Sequence, residues 1–246
     1  MTAFLESANT ALQLIAAADA TLSAIVLRSL GVSGAALMIA SLLGLPLGAW
    51  LGVARFSGRG AVMAILNTLL ALPSVVVGLV VYLLLSRSGP LGFLGWLFSV
   101  KAMVLAQAIL ILPVVAALTR QVVEDAQNRH GEQIQSLGAG PILRSLILAW
   151  DERFALFTVL IASLGRAISE VGAVMIVGGN VDGFTRVMTT AIALETSKGD
   201  LPLALALGIV LMAVVLLLNA LMAWLRHWRE NALNSQTMAL QIGGAV

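Results

Sequence analysis

Glu132-Gln-Ile-Gln-Ser-Leu-Gly-Ala-Gly-Pro141 lies near the middle of the one long polar stretch of this chain, residues 124–153. Uncharged runs flank it on both sides, each close to the length of about 20 residues that crosses a bilayer. A polar island held between spanning segments reads as a loop outside the membrane. It is placed to receive a push from a soluble partner and to pass it to the helices on either side.

The composition supports that frame. Of 246 residues, 60% are hydrophobic and 11% charged, with a mean hydropathy of +1.01. Soluble domains are about 45–50% apolar and about 25% charged, so the chain reads as an integral membrane protein. Spanning structures must satisfy their own backbone polar groups, which leaves helices and closed barrels. The runs are continuous and aliphatic rather than short and alternating, which selects helices. The chain has no cysteine. That excludes disulfides, thiolate catalysis and cysteine-held metals. The pI near 9.7 rests on a net charge of only +2 with no basic stripe, so no nucleic-acid partner is expected.

Five spans are expected: 29–54, 60–86, 102–119, 154–181 and 201–225. Residues 1–19 form an N-terminal segment without the positive charge of a signal peptide. Phe4, Leu5, Ala8, Leu12 and Ile15 recur near helical spacing, so residues 3–18 read as an interfacial helix, with a sixth span as the alternative. Residues 20–226 make the transmembrane domain and 227–246 a polar cytoplasmic tail. Arg55, Arg59, Arg120, Arg129, Arg144, Arg153, Arg226 and Arg229 fall on one side, and Arg28, Arg87, Lys101, Arg186 and Lys198 on the other. The positive-inside rule makes the first side cytoplasmic and puts the N-terminus outside. No internal repeat of the kind found in inverted-repeat transporters is visible.

Several positions stand out within the spans. Gly44, Gly48 and Gly52 allow close helix approach, either inside the subunit or at a subunit interface. Pro73, before Ser74, and Pro113 interrupt their spans. Each is either a plain kink or a bend beside a translocation path. Arg166 and Glu170 are ionisable groups at membrane depth. Their spacing of four lets them pair on a helix, and the alternative is contact of Arg166 with an anionic substrate. Residues 178–183 form a turn-rich outer loop and 184–196 a short helix near the outer surface. Asn180, Thr185, Thr189 and Thr190 there are candidates to offer an amide or hydroxyls to an oxyanion. There is no His-Glu-x-x-His and no Gly-rich loop ending in Lys-Ser or Lys-Thr. No catalytic, metal or cofactor site is therefore expected, and any energy source sits on a partner.

The quoted decapeptide resembles the coupling-loop motif of ABC importer permeases, a Glu-Ala-Ala followed by Gly and a later Ile-x-Leu-Pro. Glu132, Leu137, Gly138, Ala139 and Pro141 match it. Gln133-Ile134 replaces the Ala-Ala pair, and Trp150-Asp151 the closing Leu-Pro. Ser86-Arg-Ser-Gly-Pro-Leu-Gly92, Met103-Val-Leu-Ala-Gln107 with Pro113, and Gly165-Arg-Ala-Ile-Ser-Glu-Val-Gly-Ala-Val-Met-Ile-Val-Gly-Gly-Asn180 resemble the molybdate/tungstate branch. Thr185-Arg-Val-Met-Thr-Thr190 and its continuation to Thr196 are most similar to tungstate permease subunits. Leu72-Pro73-Ser74 departs from that branch in having a single proline.

The resemblance implies a type I importer permease fold and a homodimer around a central path in the cytoplasmic membrane. It implies a cytoplasmic coupling-helix loop whose short helix docks an ATPase dimer through 132–141, with Gly138 and Ala139 allowing close approach, and an extracytoplasmic binding protein that delivers the oxyanion. Arg120, Arg144 and Arg153 are candidates to pair with acidic ATPase residues. The alternatives are a permease for molybdate or another small oxyanion, a stand-alone secondary transporter or channel, and a membrane enzyme. The last finds only the Arg166–Glu170 pair for its chemistry.

Overall fold

The computed structural model describes residues 2–17 and 20–243, with side chains described for residues 8–13, 15–17 and 20–225. Among these residues the regular structure is all helical. In chain order the helices are α1 Thr2–Ala16, α2 Ala20–Val53, α3 Arg59–Leu70, α4 Ser74–Leu85 and α5 Val100–Ser136. They continue as α6 Pro141–Asp151, α7 Arg153–Ile168, α8 Gly172–Gly178, α9 Met188–Lys198 and α10 Leu201–Gly243.

Three segments are long and apolar enough to cross a bilayer unbroken: Ala20–Val53, Val100–Ser136 and Leu201–Leu225. Two further crossings are bent pairs. α3 and α4 meet at 96°, and α7 and α8 at 58°. Taking each bent pair as one span gives five. The second predicted span, 60–86, is therefore not a single helix. Pro73 has no N–H to donate and disfavours helical backbone at Leu72 before it. The chain leaves the helix at Ala71 and restarts at Ser74, with Pro73 extended at φ −62° and ψ 129°.

The predicted polar loop is also mostly helix. α5 runs on for 37 residues, about 55 Å at 1.5 Å per residue, against a hydrocarbon core of about 30 Å. Residues 120–136 are polar but hold four Gln, two Arg and two Glu, all good helix formers. Nothing breaks the helix before Gly138, so polarity there marks departure from the lipid and not loss of helix. Only residues 137–140 connect α5 to α6.

α2 and α5 form the spine, packed along three successive clusters. These are Ala40 with Ile111, Val115 and Ala167, then Leu51 with Leu66 and Ala116, then Ala49, Val53, Val123, Ala126 and Leu148. The glycine row makes the approach possible. A Cβ on Gly48 would lie 2.4 Å from the Ala116 carbonyl oxygen and 2.7 Å from Thr119 Cβ. Gly44 and Gly52 lie against Val115 and Val123 in the same way, with Cβ distances of 3.0 Å. These glycines thus pack within the subunit.

A second core lies toward the other end. Val77, Val81 and Leu85 of α4 meet Met103 and Ala106 of α5 and Ala173, Val174 and Val177 of α8. α1 packs on the outside, with Ala11 buried among Leu22, Ile25, Ala206 and Leu207. Of the apolar row expected on α1, Leu12 is 55% exposed, while the side chains of Phe4 and Leu5 lie outside the described residues.

Candidate functional site

Two sites emerge, one at the polar tip and one where the broken spans meet. At the tip, Glu132 sits exposed on the last turns of α5. The helix stops because Gly138 adopts φ +81° and donates its N–H to the Gln135 carbonyl at 2.9 Å. A left-handed residue after the last turn is a common helix stop, and glycine adopts it without a Cβ penalty. A Cβ on Gly138 would meet nothing within 4 Å. The glycine therefore serves the turn itself, where sequence reasoning assigned it to close approach by a partner. Leu137 is 86% exposed, Ala139 half-buried, and Pro141 takes the first position of α6, where its missing N–H costs nothing.

This tip is braced. Arg144 Nη1 donates to Gln135 Oε1 at 2.9 Å across the turn. Arg129 Nη2 reaches Glu152 Oε1 at 2.7 Å, joining α5 to the corner between α6 and α7. Leu148 of α6 is buried beside Val123 and Ala126 of α5. Nearer the membrane, Glu124 accepts from Arg59 Nη2 at 2.8 Å and also pairs with Arg120. Arg59 donates as well to the Leu51 carbonyl at 3.3 Å, so the end of α2, the start of α3 and the middle of α5 are tied together. The arginines expected to await a partner are thus engaged within the chain. Arg120 pairs with Glu124, Arg144 bonds Gln135, and Arg153 Nη1 donates to the Trp150 carbonyl at 3.0 Å.

At membrane depth the two breaks lie against each other. A Cβ on Gly78 of α4 would stand 2.8 Å from Ala173 Cα of α8. One on Gly172 would stand 2.8 Å from Val75 Cγ2 and 2.9 Å from Ser74 Oγ. Ser74 and Val75 therefore lie against the start of α8, just after the gap between α7 and α8. Glu170 lies buried in that gap. Its Oε1 accepts the Ala173 N–H at 3.3 Å, and its backbone carbonyl accepts Thr189 Oγ1 at 2.8 Å.

Among the described residues no ion pair joins Arg166 to Glu170, contrary to expectation. α7 ends at Ile168, so the spacing of four no longer places the two groups on one helical face. Arg166 is exposed and Glu170 is 7% exposed.

Gln107 of α5 was not singled out for a role by the sequence reading, yet it lies at the centre. It is 3% exposed and donates Nε2 to the Ala167 carbonyl at 2.9 Å, satisfying the frayed end of α7. Its Oε1 has no partner among the described residues. The signal was present: it is the one amide in the apolar run 102–119.

The outer loop is closed on itself. The hydroxyls of Thr185, Thr189 and Thr190 donate to the carbonyls of Gly178, Glu170 and Val187 at 2.6, 2.8 and 3.1 Å. Asn180, at φ +49°, donates Nδ2 to the Thr190 carbonyl at 3.3 Å. The groups expected to face an oxyanion instead hold backbone. Arg28 donates to the Arg186 and Gly183 carbonyls at 3.1 and 2.8 Å. Arg186 pairs with Asp182 at 3.1 Å.

Geometrically, the tip can be pushed as a rigid corner, and the junction of breaks is where the spans can rearrange. The family described as binding-protein-dependent transport system inner membrane component matches residues 44–231. The tungstate uptake system permease protein of Peptoclostridium acidaminophilum is 40% identical over 215 residues, 87% of this chain and 94% of that protein. A probable anion ABC transporter permease protein of Haloferax volcanii is 43% identical over 203 residues, 80% of this chain and 88% of its own. The molybdenum transport system permease protein of Escherichia coli K12 is 31% identical over 233 residues, covering 84% and 95%.

Proposed function

We propose, for a chain that belongs to the family of inner membrane components of binding-protein-dependent transport systems, the role of tungstate permease. The observation that carries the substrate is identity. Relatives named for tungstate uptake are 40% and 42% identical, and the molybdenum permease is 31% identical. As an ABC importer permease, the chain works with an ATPase and a binding protein.

Two copies form the path, with the N-terminus outside and the tip in the cytoplasm. Residues 132–141 dock the ATPase, with Glu132, Leu137, Gly138, Ala139 and Pro141 at the contact. Closure of the ATPase dimer moves the tip. The Arg129–Glu152 pair and buried Leu148 keep α5, α6 and the start of α7 together as they move. α5 carries that displacement into the membrane, where Gln107 holds the end of α7. The junction of α4 and α8 then opens to one side or the other. Arg166, exposed beside it, is the cation that an oxyanion in transit meets.

Proteoliposomes holding this chain with its ATPase and binding protein test the reading. The expected result is ATP-dependent accumulation of tungstate, with molybdate and sulfate competing weakly. Preferred accumulation of molybdate would move the assignment to the sister branch. Oxyanion flux by the chain alone, without nucleotide, would replace it with a secondary transporter.

A further inference from the structure

We propose that the groove between α2, α6 and α7 is a binding site for an anionic phospholipid. Its phosphate rests on Arg153 and its acyl chain lies along Leu45, Pro46, Leu156, Phe157 and Leu160. The proposal rests on the membrane placement of the chain and not on the identity of the transported ion.

The groove encloses about 370 Å³, and Arg153 is the one charged residue on its wall. The floor is aliphatic and aromatic. An apolar groove left empty loses the dispersion contacts of its lining, so a face turned to lipid draws a chain into it. The groove ends at the α6–α7 corner, beside the polar tip and hence at the membrane boundary. Trp150 stands at that rim, 72% exposed, in the kind of position where tryptophan enriches at the headgroup level.

Charge decides which lipid. Arg129, Arg120 and Arg59 each have a carboxylate partner. Among the described residues Arg153 forms no ion pair. Its Nη1 is held by the Trp150 carbonyl at 3.0 Å, and its guanidinium lies 5.5 Å from the Trp150 ring centre and 4.9 Å from that of Phe154. The side chain is thereby positioned, with its remaining N–H groups available. A planar guanidinium held this way suits a phosphate, which it can bind through two parallel hydrogen bonds. A guanidinium without an ion-pair partner among the described residues favours a headgroup of net negative charge over a zwitterionic one. Basic pockets between helices on the cytoplasmic side recognise such headgroups elsewhere.

The test uses the whole complex, permease with its ATPase, in nanodiscs of phosphatidylglycerol and phosphatidylcholine in equal parts. Lipid retained after release into detergent is counted by native mass spectrometry. Wild type should keep phosphatidylglycerol in preference to phosphatidylcholine. Arg153→Gln should lower that retention several-fold, and Arg153→Lys should recover part of it. Leu146→Trp, at an exposed position on the groove wall, fills the groove and leaves the arginine, and should lower it too.

Equal retention by wild type and Arg153→Gln would overturn the proposal. So would loss of the ATPase in Arg153→Gln with lipid retained, since Arg153 would then serve the protein partner. Leu160→Cys tests the remaining occupant, because the chain has no other cysteine. A disulfide between two copies in the membrane would show the groove covered by a second subunit, again overturning the proposal.

Discussion

At Gly48 one missing Cβ sets the distance between α2 and α5. With the Ala116 carbonyl 2.4 Å from where a Cβ would stand, a larger side chain has no rotamer that avoids backbone. Gly48→Leu should cost more than the usual overpacking penalty of about 1–3 kcal/mol, because the obstacle is an oxygen that cannot move alone. Size-exclusion chromatography of the detergent-extracted chain should show most of it lost from the monodisperse peak. Gly138→Ala faces open space and bears only the left-handed strain of about 1–2 kcal/mol at a helix end, so its yield should stay near wild type.

Glu170 gives a second test on this scale. Its carboxylate faces a backbone N–H donor and not Arg166. A guanidinium placed there would set donor against donor in a buried site. Arg166→Glu combined with Glu170→Arg should therefore leave tungstate uptake as low as Glu170→Arg alone at matched expression. Recovery by the double swap would mean that the two groups pair during transport.

Between elements, the informative contact is the one where α4 and α8 cross at their breaks. Gly78 lets the backbones touch, with Ala173 Cα 2.8 Å from a would-be Cβ. Gly78→Val should pry the two half-helices apart at the point where the path must open and close. Tungstate uptake should fall at least tenfold while the ATPase still co-purifies, because the tip lies on other elements. Loss of the ATPase together with uptake would mean that the junction holds up the whole fold.

This junction marks the boundary of what the sequence made legible. Hydropathy located all five crossings, because apolar length is a property of single segments. It missed nine residues at the start of α2, and seventeen at the end of α5 where helix continues through polar sequence. The glycine row of α2 was legible as a close-approach surface from spacing alone. Pro73 signalled a bend, but a turn of 96° depends on what the two halves pack against, and no local pattern carries that. The Arg166–Glu170 spacing misled because the helix it presumed stops at Ile168, between them. At the tip the expected short helix is present as α6, but the extent of helix was underread, since the residues before it are also good helix formers and extend α5 to Ser136. Gln107, Gly78 and Gly172 act through partners 60 or more residues away along the chain in the case of Gln107, and across two broken spans in the others.

For the molecule as a whole, the arrangement of charge predicts one orientation. The end holding the Arg59–Glu124–Arg120 cluster and the polar tip must lie on the side of the ATPase for a push to reach α5. Arginine is also enriched at that end, as the positive-inside rule requires of the cytoplasmic face. These two arguments are independent, since one concerns mechanics and the other insertion. The absence of native cysteine makes the orientation directly measurable. Ser57 lies exposed between α2 and α3, and Ser88 lies exposed after α4 at the opposite end of the bent pair. In intact cells a membrane-impermeant maleimide should label Ser88→Cys and leave Ser57→Cys unlabelled until the membrane is permeabilised. The reverse pattern would place the tip outside. It would detach the corner at 132–141 from any cytoplasmic ATPase, whatever its likeness to a coupling loop.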